Sequence, residues 1–166
     1  MIFDLNDKND CAVVRAYLEI ERQKKIRIGL ASGTFDLIHP QHVHFLNRCW
    51  RECDILVVGV DSDKLVREVK GPTRPLIYDG RRVHMVDSLK PVAFAFIINS
   101  IEDFGLAAEI TRPNVIFKNN AFHGREDEIA GKEFAGEIML IPDVIELTST
   151  SDIIANAAKV AAKKTS

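Results

Sequence analysis

Two histidines follow a glycine closely in the first quarter of the chain. Their segment reads Gly33-Thr-Phe-Asp-Leu-Ile-His39-Pro-Gln-His42 and comes directly after an apolar run. His39 falls where a helix would begin and His42 lies one turn further in, so free N–H groups and the helix dipole would attract an anion to both. A protonated imidazole can donate to phosphate oxygens that gain charge during phosphoryl or nucleotidyl transfer. A lone histidine at a helix start is usually structural, whereas this pair after a turn predicts a phosphate site.

Alternating strand and helix patterns must position this segment. An apolar strand pattern at 26–31 precedes it, and a helix pattern at 40–53 follows, with Pro40 at a first position where its missing N–H costs nothing. Asp10 is the expected N-cap of the first helix. The other strands are predicted at 54–60, 92–98, 114–118 and 137–141, and the other helices at 6–24, after Ser62, at 79–89, 101–111 and 126–134, and from Thr150 or Ser151 to about 162.

This alternation is typical of an α/β fold in which helices cover both faces of a parallel sheet. The chain of 166 residues is predicted to form a single domain, with the N-terminal helix in residues 1–25 packed on it. Ligands of such sheets bind outside the carboxyl ends of the strands, where the strand order reverses. Because the loop after Gly33 follows the first strand, we expect the phosphate site there.

Composition restricts the kind of protein further. Apolar residues make up 46% and charged residues 28%, and a net charge of −2 predicts no general affinity for nucleic acid or for membranes. The longest apolar runs, such as 92–98, are too short to span a bilayer. The acidic start does not look like a secretory leader, and three cysteines without framework spacing suggest reduced thiols. We therefore expect a cytoplasmic protein.

The histidine segment resembles the signature G-x-F-D-x-x-H-x-G-H of the cytidylyltransferase-like nucleotidyltransferases. The resemblance covers most of the chain and is closest to the heptose-1-phosphate adenylyltransferase branch, with glycerol-3-phosphate cytidylyltransferase as a more distant relative. The further segments that carry it are Gly59-Val-Asp-Ser-Asp63, Lys70-Gly71, Arg74-Pro75, Arg82, Pro113-Asn-Val-Ile-Phe-Lys118, Glu128-Ile-Ala-Gly131 and Ser149-Thr-Ser-Asp-Ile-Ile154.

The resemblance implies a Rossmann-like domain with a five-stranded parallel sheet in the order 3-2-1-4-5. It also implies transfer of a nucleoside monophosphate from ATP or CTP to a phosphorylated sugar or polyol, with release of pyrophosphate and without a covalent enzyme intermediate. Mg²⁺ would bind mainly through the triphosphate, with no direct protein ligand. Neither nucleic acid nor a membrane is an expected partner. The apolar face of the N-terminal helix is a candidate homodimer contact, although we expect it to cover the sheet of its own chain.

The resemblance also assigns roles to single residues. The catalytic set would be His39, His42 and Lys70, with the two histidines on the triphosphate. Ser149 and Thr150 would hold phosphate oxygens, or would simply cap the last helix. Generic surface charge is the alternative for the basic residues. The predicted nucleotide- or phosphate-binding residues are Gly33, Thr34, Phe35, Arg74, Arg82, Lys118, Ser149 and Thr150.

Three positions depart from the family pattern. Gln41 stands where the family has glycine, and Ala121 and Phe122 stand where it has an acid followed by tyrosine or tryptophan. These changes leave the triphosphate residues in place and alter the surroundings of base and acceptor. A catalytically degenerate nucleotide- or sugar-phosphate-binding module is therefore the alternative to an enzyme, and a scaffold protein is a third possibility. Ile145 and Glu146 lie where the glycerol-3-phosphate enzymes have arginine, which favours ATP slightly.

Overall fold

A five-stranded parallel sheet forms the centre of the molecule in a computed structural model that describes residues 1–144 and 149–164. The strands are β1 Ile28–Gly33, β2 Ile55–Asp61, β3 Phe94–Ile98, β4 Val115–Asn119 and β5 Glu137–Ile141. Their order is β3-β2-β1-β4-β5, which confirms the predicted order. The order reverses between β1 and β4, so this edge of the sheet carries the crevice in which a ligand is expected. Ile145 and Glu146 lie outside the described residues.

Helices cover both faces of the sheet, as predicted. They are α1 Lys8–Gln23, α2 Pro40–Arg51, α3 Asp63–Lys70, α4 Asp79–Asp87, α5 Ile101–Thr111 and α6 Thr150–Lys164. One core cluster joins α1 and α5 to the side chains of Ile28 and Leu30 on β1. The other joins α2 and α4 to Ala31 and Leu56 on the opposite face. Neighbouring residues of a strand point to opposite faces, so each strand contributes to both clusters.

The first helix, predicted at 6–24, spans Lys8–Gln23 and begins before its predicted cap, Asp10. Its N-cap is Asp7, whose Oδ1 accepts hydrogen bonds from the backbone N–H of Asn9 at 2.7 Å and of Asp10 at 3.4 Å. The predicted cap, Asp10, lies inside the first turn, where a carboxylate still interacts favourably with the helix dipole. The prediction that Asp10 caps the helix is therefore wrong, and Asp10 is a first-turn residue.

The helix predicted at 126–134 is wrong. The segment contains two single 3₁₀ turns, Glu126–Glu128 and Lys132–Phe134, separated by Gly131 with a φ of 77°. A Cβ on Gly131 would lie 2.5 Å from the Cβ of Ala108 and 2.9 Å from the Cα of Gly105 on α5. The close approach to α5 requires a glycine in the left-handed conformation, and that conformation ends the helical path.

The apolar surface of α1 is divided between the core and solvent. Val14 and Leu18 are fully buried, whereas Val13, Tyr17 and Ile20 are 59%, 44% and 55% exposed. The helix thus covers its own chain, as expected, and still presents an apolar stripe outward. A homodimer through this stripe stays a prediction.

Candidate functional site

The loop between β1 and α2 crosses the crevice at the carboxyl edge of the sheet. Within it, Phe35 and Leu37 have φ values of 51° and 50°. Non-glycine residues rarely adopt this left-handed conformation, which costs energy and clusters at functional sites, although Lys25 and Arg112 adopt it elsewhere in this chain. The sequence signature located the loop, but its glycine is not where the left-handed turn occurs.

Gly33 serves the packing of Phe35. A Cβ on Gly33 would lie 3.1 Å from two atoms of the Phe35 ring, and that ring is only 1% exposed within the core. Because the whole residue is buried, Phe35 supports the loop from within the core, and its contact with a nucleotide stays a prediction. Thr34 donates from Oγ1 to Oδ2 of Asp61 at 2.9 Å, which ties the loop to the end of β2.

His39 and His42 stack on each other at the start of α2. Their ring centroids are 3.8 Å apart with 25° between the planes, and the ring of Phe35 lies 5.2 Å from that of His42. His39 is the N-cap residue of α2, yet its side chain makes no capping hydrogen bond. Nδ1 of each ring is buried without a hydrogen-bond partner among the described residues. The pair therefore holds unused hydrogen-bonding capacity at a helix N-terminus, where anions are favoured.

The free protein keeps both imidazoles neutral near pH 7. Burial, together with the nearby His39 and Lys70, lowers the pKa of His42 to about 3. Burial and the charge of Lys70 also lower the pKa of His39. The interpretation from sequence invoked protonated imidazoles, but in the unliganded site each ring acts as a neutral group with one N–H donor.

Acid is expected to destabilise the fold through His42. The unfolded chain binds this proton near the ordinary pKa of 6.5, and the folded chain only near 3. The free energy of unfolding is therefore fully retained above about pH 6.5 and falls as the pH drops below it, by at most about 1.4 kcal/mol per pH unit for one proton. Urea unfolding at about pH 7 and about pH 5 measures this slope. His42→Asn should show a shallower slope, and equal slopes in the two proteins would contradict the assignment.

Asp36 joins three segments of the site, a role that the sequence did not assign although the residue stands in the signature. Its carboxylate is 1% exposed and accepts hydrogen bonds from the backbone N–H of Leu76 and Ile77 at 3.0–3.1 Å. Arg74 forms an ion pair with it at 3.0 Å. The backbone carbonyl of Asp36 accepts from Oγ1 of Thr150 at 2.7 Å. One buried residue thus connects the β1–α2 loop, the segment before α4 and the start of α6.

Two cations lie beside the histidines. Lys70 is an exposed residue at the end of α3, but burial of its ammonium group lowers its pKa, and Arg74 lowers it further. The charge of Lys70 lowers the pKa of both His39 and His42, which places it on their side of the site. Arg74 is 13% exposed, and its Nε is buried without a partner among the described residues. The structure therefore brings these four predicted residues together.

The start of α6 completes this side of the site. The carboxylate Oδ2 of Asp152 accepts from the Ser149 hydroxyl at 2.6 Å and from the Ser149 backbone N–H at 2.9 Å. These bonds lower the pKa of Asp152. Thr150 holds α6 to Asp36, as described above. The two hydroxyls therefore cap and dock the helix, and their contact with phosphate stays a prediction.

Arg82 lies behind the site rather than facing a ligand. It is fully buried and donates to the carbonyl oxygen of Ile77 at 2.7 Å, to the carbonyl oxygen of Thr34 at 2.5 Å and to Oδ1 of Asp63 at 2.8 Å. These partners occupy all three nitrogens of the guanidinium group. In place of the phosphate contact expected from the sequence, the structure gives Arg82 the role of holding the Thr34 loop against α3 and α4.

Lys118 lies on the opposite face of the sheet from the histidines. Its Nζ donates to Oγ of Ser32 at 2.8 Å and stands 3.7 Å above the ring centroid of Phe104, with the ring of Phe122 at 5.1 Å. Burial lowers the pKa of Lys118 to about 8, while the carboxylate of Asp61 raises it. The structure therefore separates Lys118 from the other predicted phosphate-binding cations.

Two departures from the family pattern fall in different places. Gln41 lies in the first turn of α2 and donates from Nε2 to Oδ1 of Asp143 at 2.8 Å, which ties α2 to the segment after β5. Ala121 is exposed in the 3₁₀ turn Asn120–Phe122 that follows β4. The first change therefore adjoins the histidines and the second adjoins Lys118.

Within residues 1–144 and 149–164, no group of three or more His, Cys, Asp or Glu side chains could hold a metal ion. Cys49 and Cys53 are buried thiols whose pKa values are raised by burial, as expected for core residues. None of the helices in this part of the chain is long and apolar enough to cross a membrane.

Comparisons with known sequences match the chain to one family model. The model described as Cytidylyltransferase-like matches residues 30–156. A "Bifunctional protein HldE" of Syntrophotalea carbinolica is 31% identical over 145 residues, which are 85% of this chain and 29% of that protein. Another, of Acidiphilium cryptum, is 37% identical over 123 residues, which are 72% of this chain and 25% of that protein. The chain thus spans less than a third of each of these relatives.

Solved structures show the same fold. The lipopolysaccharide core biosynthesis protein of Thermoplasma volcanium superposes with a TM-score of 0.61 at 23% identity, over 72% of this chain and 98% of that one. A pantoate-beta-alanine ligase of Francisella tularensis, solved with beta-gamma ATP and beta-alanine, gives a TM-score of 0.52 at 14% identity, over 95% of this chain and 77% of that one. At these identities the likeness extends to the fold alone.

Proposed function

The chain belongs to the cytidylyltransferase-like family, as its signature predicted, and from this premise we propose that it is a nucleotidyltransferase. In the proposed reaction a phosphorylated sugar or polyol attacks the α-phosphate of a nucleoside triphosphate, and pyrophosphate leaves. The bond from the α-phosphorus to the bridging oxygen breaks as the bond to the acceptor phosphate oxygen forms. The curated relatives named HldE support the sugar-phosphate class of acceptor.

The stacked pair of His39 and His42 is the observation that carries this proposal. The two stacked, neutral imidazoles lie at the N-terminus of α2, whose first backbone N–H groups have no intrahelical partner, and the charge of Lys70 acts on both rings. Negative charge builds up on the leaving pyrophosphate during the transfer, so donors fixed at that position stabilise the transition state more than the ground state. The residues act by positioning and by electrostatics, because phosphoryl-group transfer requires no covalent intermediate.

Arg74 and the start of α6 are proposed to extend the phosphate site. Arg74 lies beside Asp36, and its buried Nε has no partner within residues 1–144 and 149–164. The α6 N-terminus, held to Asp36 by Thr150, presents backbone N–H groups on the same side. Mg²⁺ bound through triphosphate oxygens would offset charge on the nucleotide. No protein carboxylate is proposed as a ligand of the ion.

The decisive experiment is a pyrophosphate-release assay. ATP and CTP are each offered with sugar 1-phosphates, polyol phosphates and glycerol 3-phosphate, with and without Mg²⁺. We expect release with at least one pair, in proportion to the nucleotide-linked product. Lack of release from every pair, in protein that is folded by circular dichroism, would contradict the enzyme. The same panel decides between ATP and CTP as the nucleotide substrate. The cytoplasmic location of the protein stays a prediction that this assay does not test.

Gln41 and Ala121 favour a second candidate, a binding module that retains ligand affinity without turnover. The hydrogen bond from Gln41 to Asp143 holds an amide in the first turn of α2, where the family has only a glycine hydrogen atom. A thermal-shift screen with the same nucleotides and sugar phosphates separates the two candidates. Stabilisation by ligands, without pyrophosphate release across the panel, would favour the binding module.

A further inference from the structure

A second polar cluster lies at the carboxyl ends of β1, β2 and β4. We call it the lysine cluster; it consists of Ser32, Asp61 and Lys118 with the rings of Phe104 and Phe122. Ala31 pairs with Phe117, and both belong to the core on the α2 side, so the next residues, Ser32 and Lys118, point to the α5 side. The lysine cluster and the histidines therefore occupy opposite faces of the sheet at the same edge.

The ammonium group of Lys118 is held in a setting that suits a ligand. Its hydrogen bond to Ser32 uses one of three donors, and the face of Phe104 lies against it at 3.7 Å. Burying a cation without a paired carboxylate costs free energy, and groups perturbed in this way cluster at functional sites. Lys118 therefore has donors to offer to an oxygen that enters from the α5 side.

Asp61 connects the two faces of the site. It ends β2, and its charge raises the pKa of Lys118 on one side and of Lys70 on the other. Thr34 hydrogen-bonds one of its oxygens at 2.9 Å. A carboxylate within electrostatic range of an ammonium group offers acceptors and donors to one ligand, which is what vicinal hydroxyl groups need. The half-buried ring of Phe122 adds an apolar wall.

We propose that the lysine cluster binds the polyhydroxyl part of the phosphorylated acceptor, with Asp61 accepting from its hydroxyl groups and Lys118 donating to them. The inference rests on the proposed nucleotidyl transfer and specifies how its acceptor is chosen. In-line displacement requires the attacking and leaving oxygens on opposite sides of the α-phosphorus. With pyrophosphate held by His39 and His42 on the α2 side, an acceptor bound at the lysine cluster on the α5 side would approach the α-phosphorus from the opposite side.

Direct binding measurements test, independently of turnover, whether the nucleotide binds at the histidines and the acceptor at the lysine cluster. Isothermal titration measures Kd values for four proteins: the wild type, Lys118→Met, Asp61→Asn and His42→Ala. The ligands are ATP, CTP, mannose 1-phosphate, ribitol 5-phosphate, sn-glycerol 3-phosphate and inorganic phosphate. We expect Lys118→Met to raise the Kd of the best sugar or polyol phosphate by about tenfold, as loss of a charged hydrogen bond predicts, and that of the better nucleotide less than about twofold. His42→Ala should show the reverse pattern. Lys90→Met, which removes an exposed lysine, is the matched control.

The outcomes separate the inference from the proposed function. Equal weakening of nucleotide and sugar phosphate by Lys118→Met, or no weakening of either, would overturn the acceptor assignment. Failure of every sugar or polyol phosphate to bind the wild type would overturn it as well. A retained split in binding without pyrophosphate release would support the lysine cluster and refute the transfer. Asp61→Asn keeps the side-chain shape, so it provides the same readout should Lys118→Met fold poorly.

Discussion

Replacing His42 with alanine is expected to lower kcat by about 10²- to 10³-fold, the loss seen when one fixed donor to a transition-state oxyanion is removed. The ring is stacked on His39, and its pKa of about 3 in the free protein keeps it neutral, so it contributes an N–H donor rather than a charge. The effect should appear in kcat for pyrophosphate release, measured at saturating nucleotide and acceptor. Circular dichroism should show an unchanged fold.

His84→Ala is the matched control, because it removes an exposed histidine from α4, away from the stacked pair. It should turn over like the wild type. Turnover by His42→Ala within about twofold of the wild type would show that the histidine does not act on the leaving group. A rise in the KM of the nucleotide alone would assign His42 to substrate binding instead of transition-state stabilisation.

Arg82→Met is expected to have the largest effect on stability, lowering the free energy of unfolding by about 3–5 kcal/mol. The substitution removes a fully buried cation, takes away one of the two donors to Oδ1 of Asp63, and leaves the carbonyl oxygens of Thr34 and Ile77 without the guanidinium donor. Urea unfolding at neutral pH measures the loss. The ligand-free protein should already show it, since the guanidinium group contacts protein atoms rather than an expected phosphate.

Arg81→Met tests whether the loss belongs to the buried position. Arg81 is the exposed neighbour, and its guanidinium carbon lies 5.9 Å from the ring centroid of Tyr78. A change within about 0.5 kcal/mol is expected there, as for most surface substitutions. If Arg82→Met were as stable as Arg81→Met, the three hydrogen bonds would not be what holds the Thr34 loop to α3 and α4.

Local sequence patterns predicted the architecture because the apolar periodicity of each strand and helix is contained within a few consecutive residues. The apolar run that became β2 is buried at six of seven positions, which is what a strand covered on both faces shows. The exception at 126–134 depends on contact between Gly131 and α5, more than twenty residues away along the chain. No local periodicity contains that contact.

The histidine pair was likewise predictable from spacing alone, whereas its supports were not. Asp36 pairs with residues 40 and 114 positions away in the sequence, and Arg82 reaches back 48 positions to Thr34. Such partners are fixed only when the fold is complete. The basic residues after β2 therefore looked alike in the sequence, although Lys70 and Arg74 face the site and Arg82 is enclosed by protein atoms.

The way α6 is attached determines how easily this helix opens locally. Residues 155–161 of this helix are exposed, and its first turn is fastened to the rest of the chain through the Thr150 hydroxyl and Asp36. A helix that buries so little should open locally at a small fraction of the global unfolding free energy. Phosphate bound at its N-terminus would oppose that opening by mass action. Amide hydrogen exchange in α6 would then slow when the phosphate site is occupied, and would report occupancy at a distance from the reacting atoms.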